Sequence, residues 1–102
     1  MLNYPLKFKP ILKEKIWGGT KLIDLLGKES HSNNLGESWE ISGVENDISI
    51  VENGPLKGRS LQDLLKEYKY ELLGKNVYQK FGEDFPLLIK YIDARTKNLV
   101  FI

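Results

Sequence analysis

The chain has 102 residues, with 15 lysines and arginines against 14 acids and a net charge of +1, the size of one modest domain. Acids and bases are interleaved, which leaves no basic footprint for nucleic acid and no polybasic face for a membrane. There is no cysteine, which excludes disulfides, thiolate metal sites and cysteine nucleophiles and fits the reducing cytoplasm in which the protein is expected.

With 41% hydrophobic residues the chain can build a core, although a domain of this size buries only about two-thirds of its unfolded surface. Met1 to Pro10 lacks the apolar stretch of a signal peptide. No apolar run approaches the roughly 20 residues that span a bilayer. A single domain over residues 1–102 is expected.

Leu6, Phe8 and Pro10 alternate with Lys7, Lys9 and Ile11, which predicts a half-buried strand whose prolines at 5 and 10 suit a sheet edge. Lys13 to Trp17 continues in extended form and stops at Gly18-Gly19, read as a turn. Thr20 is placed to cap a short helix in which Leu22, Leu25 and Leu26 share one face, with Gly27 as its C-cap. Residues 28–34 form a polar loop holding the sole histidine, His31; with no second ligand nearby it reads as solvated.

Leu35-Gly36-Glu37-Ser38-Trp39-Glu40-Ile41-Ser42-Gly43 is the stretch around which the chain is organised. In a strand, Glu37, Trp39 and Ile41 point one way and Ser38, Glu40 and Ser42 the other. Each side then carries a carboxylate, which in a sheet needs water, a cation or a metal shell to offset its desolvation. Ile48 to Glu52 reads as a second strand, paired with the first as a hairpin across the Val44–Asp47 turn. Asn53-Gly54 marks the next turn.

Ser60 and Asp63 form a variant capping box at the start of a helix over 61–73. Leu61, Leu64, Leu65 and Tyr68 are its core-facing stripe. Val77, Tyr78 and Phe81 suggest a shorter helix ending at Gly82. Phe85 to Ala94 is apolar on both faces, as a central strand would be. Within it Lys90 shares a face with Leu88, Ile92 and Ala94, and lysine is almost never fully buried unless paired. Either Lys90 opens onto a polar cavity lined by the sheet, or that face is exposed near the strand's end. The order of elements points to α+β or mainly-β architecture.

Four blocks, Lys15-Ile16-Trp17-Gly18-Gly19, Leu35 to Gly43, Asn53-Gly54-Pro55-Leu56-Lys57-Gly58 and Phe85 to Ala94, taken in this order and spacing, resemble the N-terminal part of type I mannose-6-phosphate isomerase (phosphomannose isomerase). The resemblance implies a mainly β chain with short helices (α+β), part of a cupin-type β-barrel or jelly roll. It implies an enzyme that interconverts mannose 6-phosphate and fructose 6-phosphate by proton transfer between C1 and C2, with a bound divalent metal, usually zinc. Such chemistry needs a Lewis acid, an acid/base group within reach and cations for the phosphate.

By the same resemblance Trp17, Glu37, Trp39, Glu40 and Lys90 match motif positions around the sugar-phosphate cavity. Trp17 would be a wall, Lys90 a cation facing substrate or an acidic neighbour, and Glu37 or Glu40 would bind a sugar hydroxyl or anchor Lys90. Against this stand plain scaffold roles: core aromatics, hairpin-surface glutamates and a strand-end lysine.

Members of that family continue past the last strand into a Gln-x-His segment that supplies two metal ligands, with a glutamate and another histidine later. Residues 95–102 read Arg95-Thr96-Lys97-Asn98-Leu99-Val100-Phe101-Ile102, and neither Gln62 nor Gln79 has a histidine two places on. The chain is therefore expected to hold no metal ligands and no zinc, to be inactive alone, and to self-associate through an open sheet edge. Mannose 6-phosphate is its expected small-molecule partner. The alternative is a non-catalytic sugar-phosphate-binding or protein-interaction module on the same scaffold.

Overall fold

The structure, a computed structural model, describes residues 2–95; the expectation attached to the sequence beyond Arg95 lies outside the described residues. The elements are β1 (Ile11–Gly19), α1 (Lys21–Asp24), β2 (Leu35–Ser42), α2 (Leu61–Tyr68), α3 (Tyr70–Leu73), α4 (Lys75–Phe81) and β3 (Leu88–Ile92). The strands form one sheet in the order β1-β2-β3, with β1 and β2 antiparallel. The chain divides into two compact units, Met1–Lys9 with Glu40–Ile89, and Pro10–Trp39 with Lys90–Ile102.

The core of the first unit is the inner face of α2. Ser60 is extended, and its side-chain oxygen accepts from the Asp63 backbone N–H at 3.0 Å, satisfying one of the free donors of the first turn. The helical repeat then stacks Leu61, Leu64 and Leu65 on one face, and all three are buried, as is Val51. The predicted helix over 61–73 is not continuous. Lys69 takes a left-handed φ of 51° and ends α2, and α3 restarts at Tyr70. α3 has no fully buried residue, so little packing energy holds one unbroken axis through the junction. α4 ends at Gly82 with φ 61°, as expected.

The strand predicted over 48–52 is corrected to single antiparallel bridges, Phe8 with Val51 and Ile50 with Ser60. The predicted hairpin survives at its root. There Ser49 N donates to Ser42 O at 2.9 Å, and Ser42 N donates to Ser49 Oγ at 2.8 Å. Beyond it the backbone turns to other partners: Lys9 N donates to Ile50 O, Val51 N to Arg59 O and Glu52 N to Lys7 O. The strand predicted from Leu6 likewise reduces to the bridge at Phe8, although its alternation holds, with Leu6 and Phe8 half-buried and Lys7 and Lys9 exposed.

In the second unit Ile11 lies opposite Trp39, Leu12 opposite Ser38 and Lys13 opposite Glu37, after which the register shifts. Gly18-Gly19, expected as a turn, are instead the buried last residues of β1 and are not left-handed. Close approach explains Gly19, since a Cβ there would stand 2.5 Å from Asp93 Oδ2. That oxygen accepts from Lys21 N at 2.8 Å. It caps α1 in place of Thr20, whose side chain makes no capping bond. α1 stops at Asp24, so Leu25 and Leu26 leave the face of Leu22. Leu22 is buried while those two are exposed, contrary to the predicted shared stripe.

β3 corrects the expectation of a central strand. Among the described residues it is the edge of the sheet, and all five of its residues are exposed. Apolar residues on both faces record a demand for cover, while the neighbour that would supply it is a long-range matter. Among the described residues no helix is long and apolar enough to cross a membrane.

Candidate functional site

Strand alternation sends Glu37 and Trp39 to the same side of β2, close enough for the indole N–H of Trp39 to donate to Glu37 Oε1 at 2.7 Å. From β3, the Lys90 ammonium donates to the same oxygen at 3.0 Å. The Lys90 Nζ also lies 5.6 Å from the Trp39 ring centroid, and the Lys13 Nζ from β1 lies 4.7 Å from it, both within cation–π range. Glycine at 36 lets β1 lie close: a Cβ there would meet Lys15 Cγ at 2.6 Å and Trp17 Cζ3 at 3.0 Å.

The Glu37 side chain is 10% exposed and that of Lys90 30%. Burial pushes the Glu37 carboxyl up, but the Trp39 and Lys90 hydrogen bonds, with the charges of Lys90 and Lys15, outweigh it and hold the group below its ordinary value. Glu37 is therefore an anion at neutral pH. No buried side-chain nitrogen or oxygen among the described residues lacks a hydrogen-bond partner. The cluster is a satisfied polar network whose Lys90 ammonium is partly open to solvent.

Of the residues singled out in the sequence, Glu37, Trp39 and Lys90 come together. Lys90 is the cation facing an acidic neighbour, and Glu37 is buried rather than a hairpin-surface group. Trp17 is half-buried against Gly36, and its carbonyl accepts from Arg95 N at 2.7 Å. Glu40 is half-buried and belongs to the first unit. The sequence reading missed Lys13 and Lys15, whose signal is the β1–β2 register. It also missed Asp93, a buried acid at the end of an apolar run.

His31 is exposed, and among the described residues no group of three or more His, Cys, Asp or Glu side chains could hold a metal ion. A catalytic zinc takes about three protein ligands, so this donor set does not fit one.

The family model for the phosphomannose isomerase type I catalytic domain matches residues 6–100. The chain belongs to the type I phosphomannose isomerase family. It is 43% identical over 94 residues to the mannose-6-phosphate isomerase ManA of Bacillus subtilis, covering 92% of this chain and 28% of that protein. It is 40% identical over 93 residues to the probable mannose-6-phosphate isomerase GmuF of the same organism, covering 91% of this chain and 28% of that protein. A crystal structure of the mannose 6-phosphate isomerase from Bacillus subtilis superposes with a TM-score of 0.75 at 41% identity, over 90% of this chain and 28% of that one. This phosphomannose isomerase chain thus has a cupin-type fold of antiparallel sheet and short helices. It spans between a quarter and a third of the length of the relatives it matches.

Proposed function

We propose that these residues build part of the substrate-facing wall of a mannose-6-phosphate isomerase, and that the 102-residue chain binds the sugar phosphate without turning it over. The Lys90–Glu37–Trp39 cluster carries this reading. Interconversion of the aldose and ketose phosphates moves a proton between C2 and C1 and shifts the carbonyl between them. It needs donors for the oxygen on which charge develops. Lys90 offers an oriented ammonium to such an oxygen or to the phosphate, ionised Glu37 accepts a sugar hydroxyl, and Trp17 gives an apolar wall. The zinc usual in the family would act as Lewis acid, but no group of three or more His, Cys, Asp or Glu side chains among the described residues could hold one.

Isothermal titration of the purified chain with mannose 6-phosphate is expected to show saturable, weak binding. A coupled assay for fructose 6-phosphate is expected to stay at background with and without added zinc. Turnover on adding zinc, with host enzyme excluded, overturns the non-catalytic part of the proposal; absence of binding overturns the substrate wall.

Self-association is favoured by β3, which among the described residues is an edge strand with exposed apolar side chains; the edge of a sheet is a template for pairing. Light scattering on a concentration series is expected to show a mass that rises with concentration. A constant monomer mass overturns it.

A further inference from the structure

We propose that Trp39 is a positioning residue: by donating its indole N–H to the Glu37 oxygen that also receives Lys90, it fixes where the Lys90 ammonium points. This rests on reading the cluster as a substrate wall.

A carboxylate has two oxygens with about four lone-pair directions, and an ammonium on a flexible four-carbon stem can take any of them. Here the indole, 2.7 Å away, occupies one direction on Oε1. Lys90, 3.0 Å from the same oxygen, is left the others and is drawn at the same time toward the ring face, 5.6 Å from its centroid. The indole is itself placed from the opposite strand: Ile11 lies opposite Trp39, and the Lys13 ammonium stands 4.7 Å from the ring centroid. Trp39 is half-buried and gives its one donor to a carboxylate, the same oxygen that receives Lys90. The charges acting on Glu37 are Lys90 from β3 and Lys15 from β1, and Lys13 lies opposite it in the β1–β2 register.

The test uses the 13C,15N-labelled 102-residue chain, whose two tryptophans give two indole N–H resonances, assigned with Trp17→Phe. In the unsubstituted chain the Trp39 indole resonance is expected to shift with acidification at the same midpoint as the Glu37 carboxyl carbon, and the Trp17 resonance to stay flat there. Trp39→Phe keeps an aromatic ring but removes the donor. It is expected to raise the Glu37 midpoint and to weaken mannose 6-phosphate binding about tenfold, the weight of one hydrogen bond to a charged group. A Trp39 indole resonance that ignores the Glu37 titration overturns the proposal, whether or not the variant folds. An unmoved Glu37 midpoint in folded Trp39→Phe also overturns it. Absence of mannose 6-phosphate binding with the indole–carboxylate coupling intact would instead count against the substrate wall.

Discussion

Lys90→Met is expected to weaken mannose 6-phosphate binding at least tenfold and to destabilise the fold by about 2 kcal/mol at pH 7. Methionine keeps most of the apolar stem, so what is lost is the ammonium 3.0 Å from Glu37. Glu37 would remain a largely buried anion with the Trp39 N–H as its remaining bond from this pair of donors. That surviving bond keeps the cost below the about 3–5 kcal/mol of a fully orphaned buried charge.

The sign of the pH effect follows from the depressed Glu37 group. A carboxyl held below its unfolded value contributes stability that is present above that value and lost as pH falls through the folded one. The ordinary value is 4.5, so the unsubstituted chain loses this contribution as it is acidified below 4.5. In Lys90→Met the Glu37 value rises, and protonation relieves the burial of the anion. The stability gap between the two chains is therefore expected to be widest at neutral pH and to narrow below about pH 4.5. Urea denaturation at pH 7 and pH 4 measures it; a gap that is unchanged or wider in acid contradicts the ion-pair assignment.

Leu64→Ala carries the largest expected stability loss. Leu64 is fully buried on the inner face of α2, beside Leu61 and Leu65 on the same helical stripe. Truncation removes about 2–5 kcal/mol through lost transfer energy and the cavity left behind. Against the 5–15 kcal/mol typical of a whole domain, this lowers the thermal midpoint by about 10 °C or more. Val77→Ala, on the exposed side of α4, serves as the control and is expected to move it little. Calorimetry of the two variants decides the matter; a Leu64→Ala midpoint within a degree or two of the parent's would remove α2 from the core.

The features recovered from sequence are local ones. The Ser60 cap and the Leu61, Leu64 and Leu65 stripe depend on contacts within four residues, and they stand as predicted. The left-handed glycines at 54 and 82 answer to backbone geometry alone and also stand; Gly27 is left-handed too, but α1 ends before it, with Leu25 as its C-cap. Apart from the break at Lys69 and the early end of α1, the misreadings involve partners outside the local segment. Residues 50–52 find their backbone partners at 7–9 and 59. Lys21 is capped by Asp93, 72 positions away. β3 looks central by composition and, among the described residues, lies at the edge.

The candidate site divides in the same way. A lysine inside an apolar strand is either paired or exposed, and the strand period places Glu37 and Trp39 on one face, so the candidate residues were legible in the sequence. Which acid takes Lys90, and that Lys13 stands over the indole, depend on strand register, which pairs residues 53 and 26 positions apart. Short-range periodicity thus set the capped helix and its buried stripe, and the order and spacing of four sequence blocks carried the family resemblance. Tertiary structure alone chose the partners, because hydrogen bonding and burial across a sheet are settled by how distant segments align.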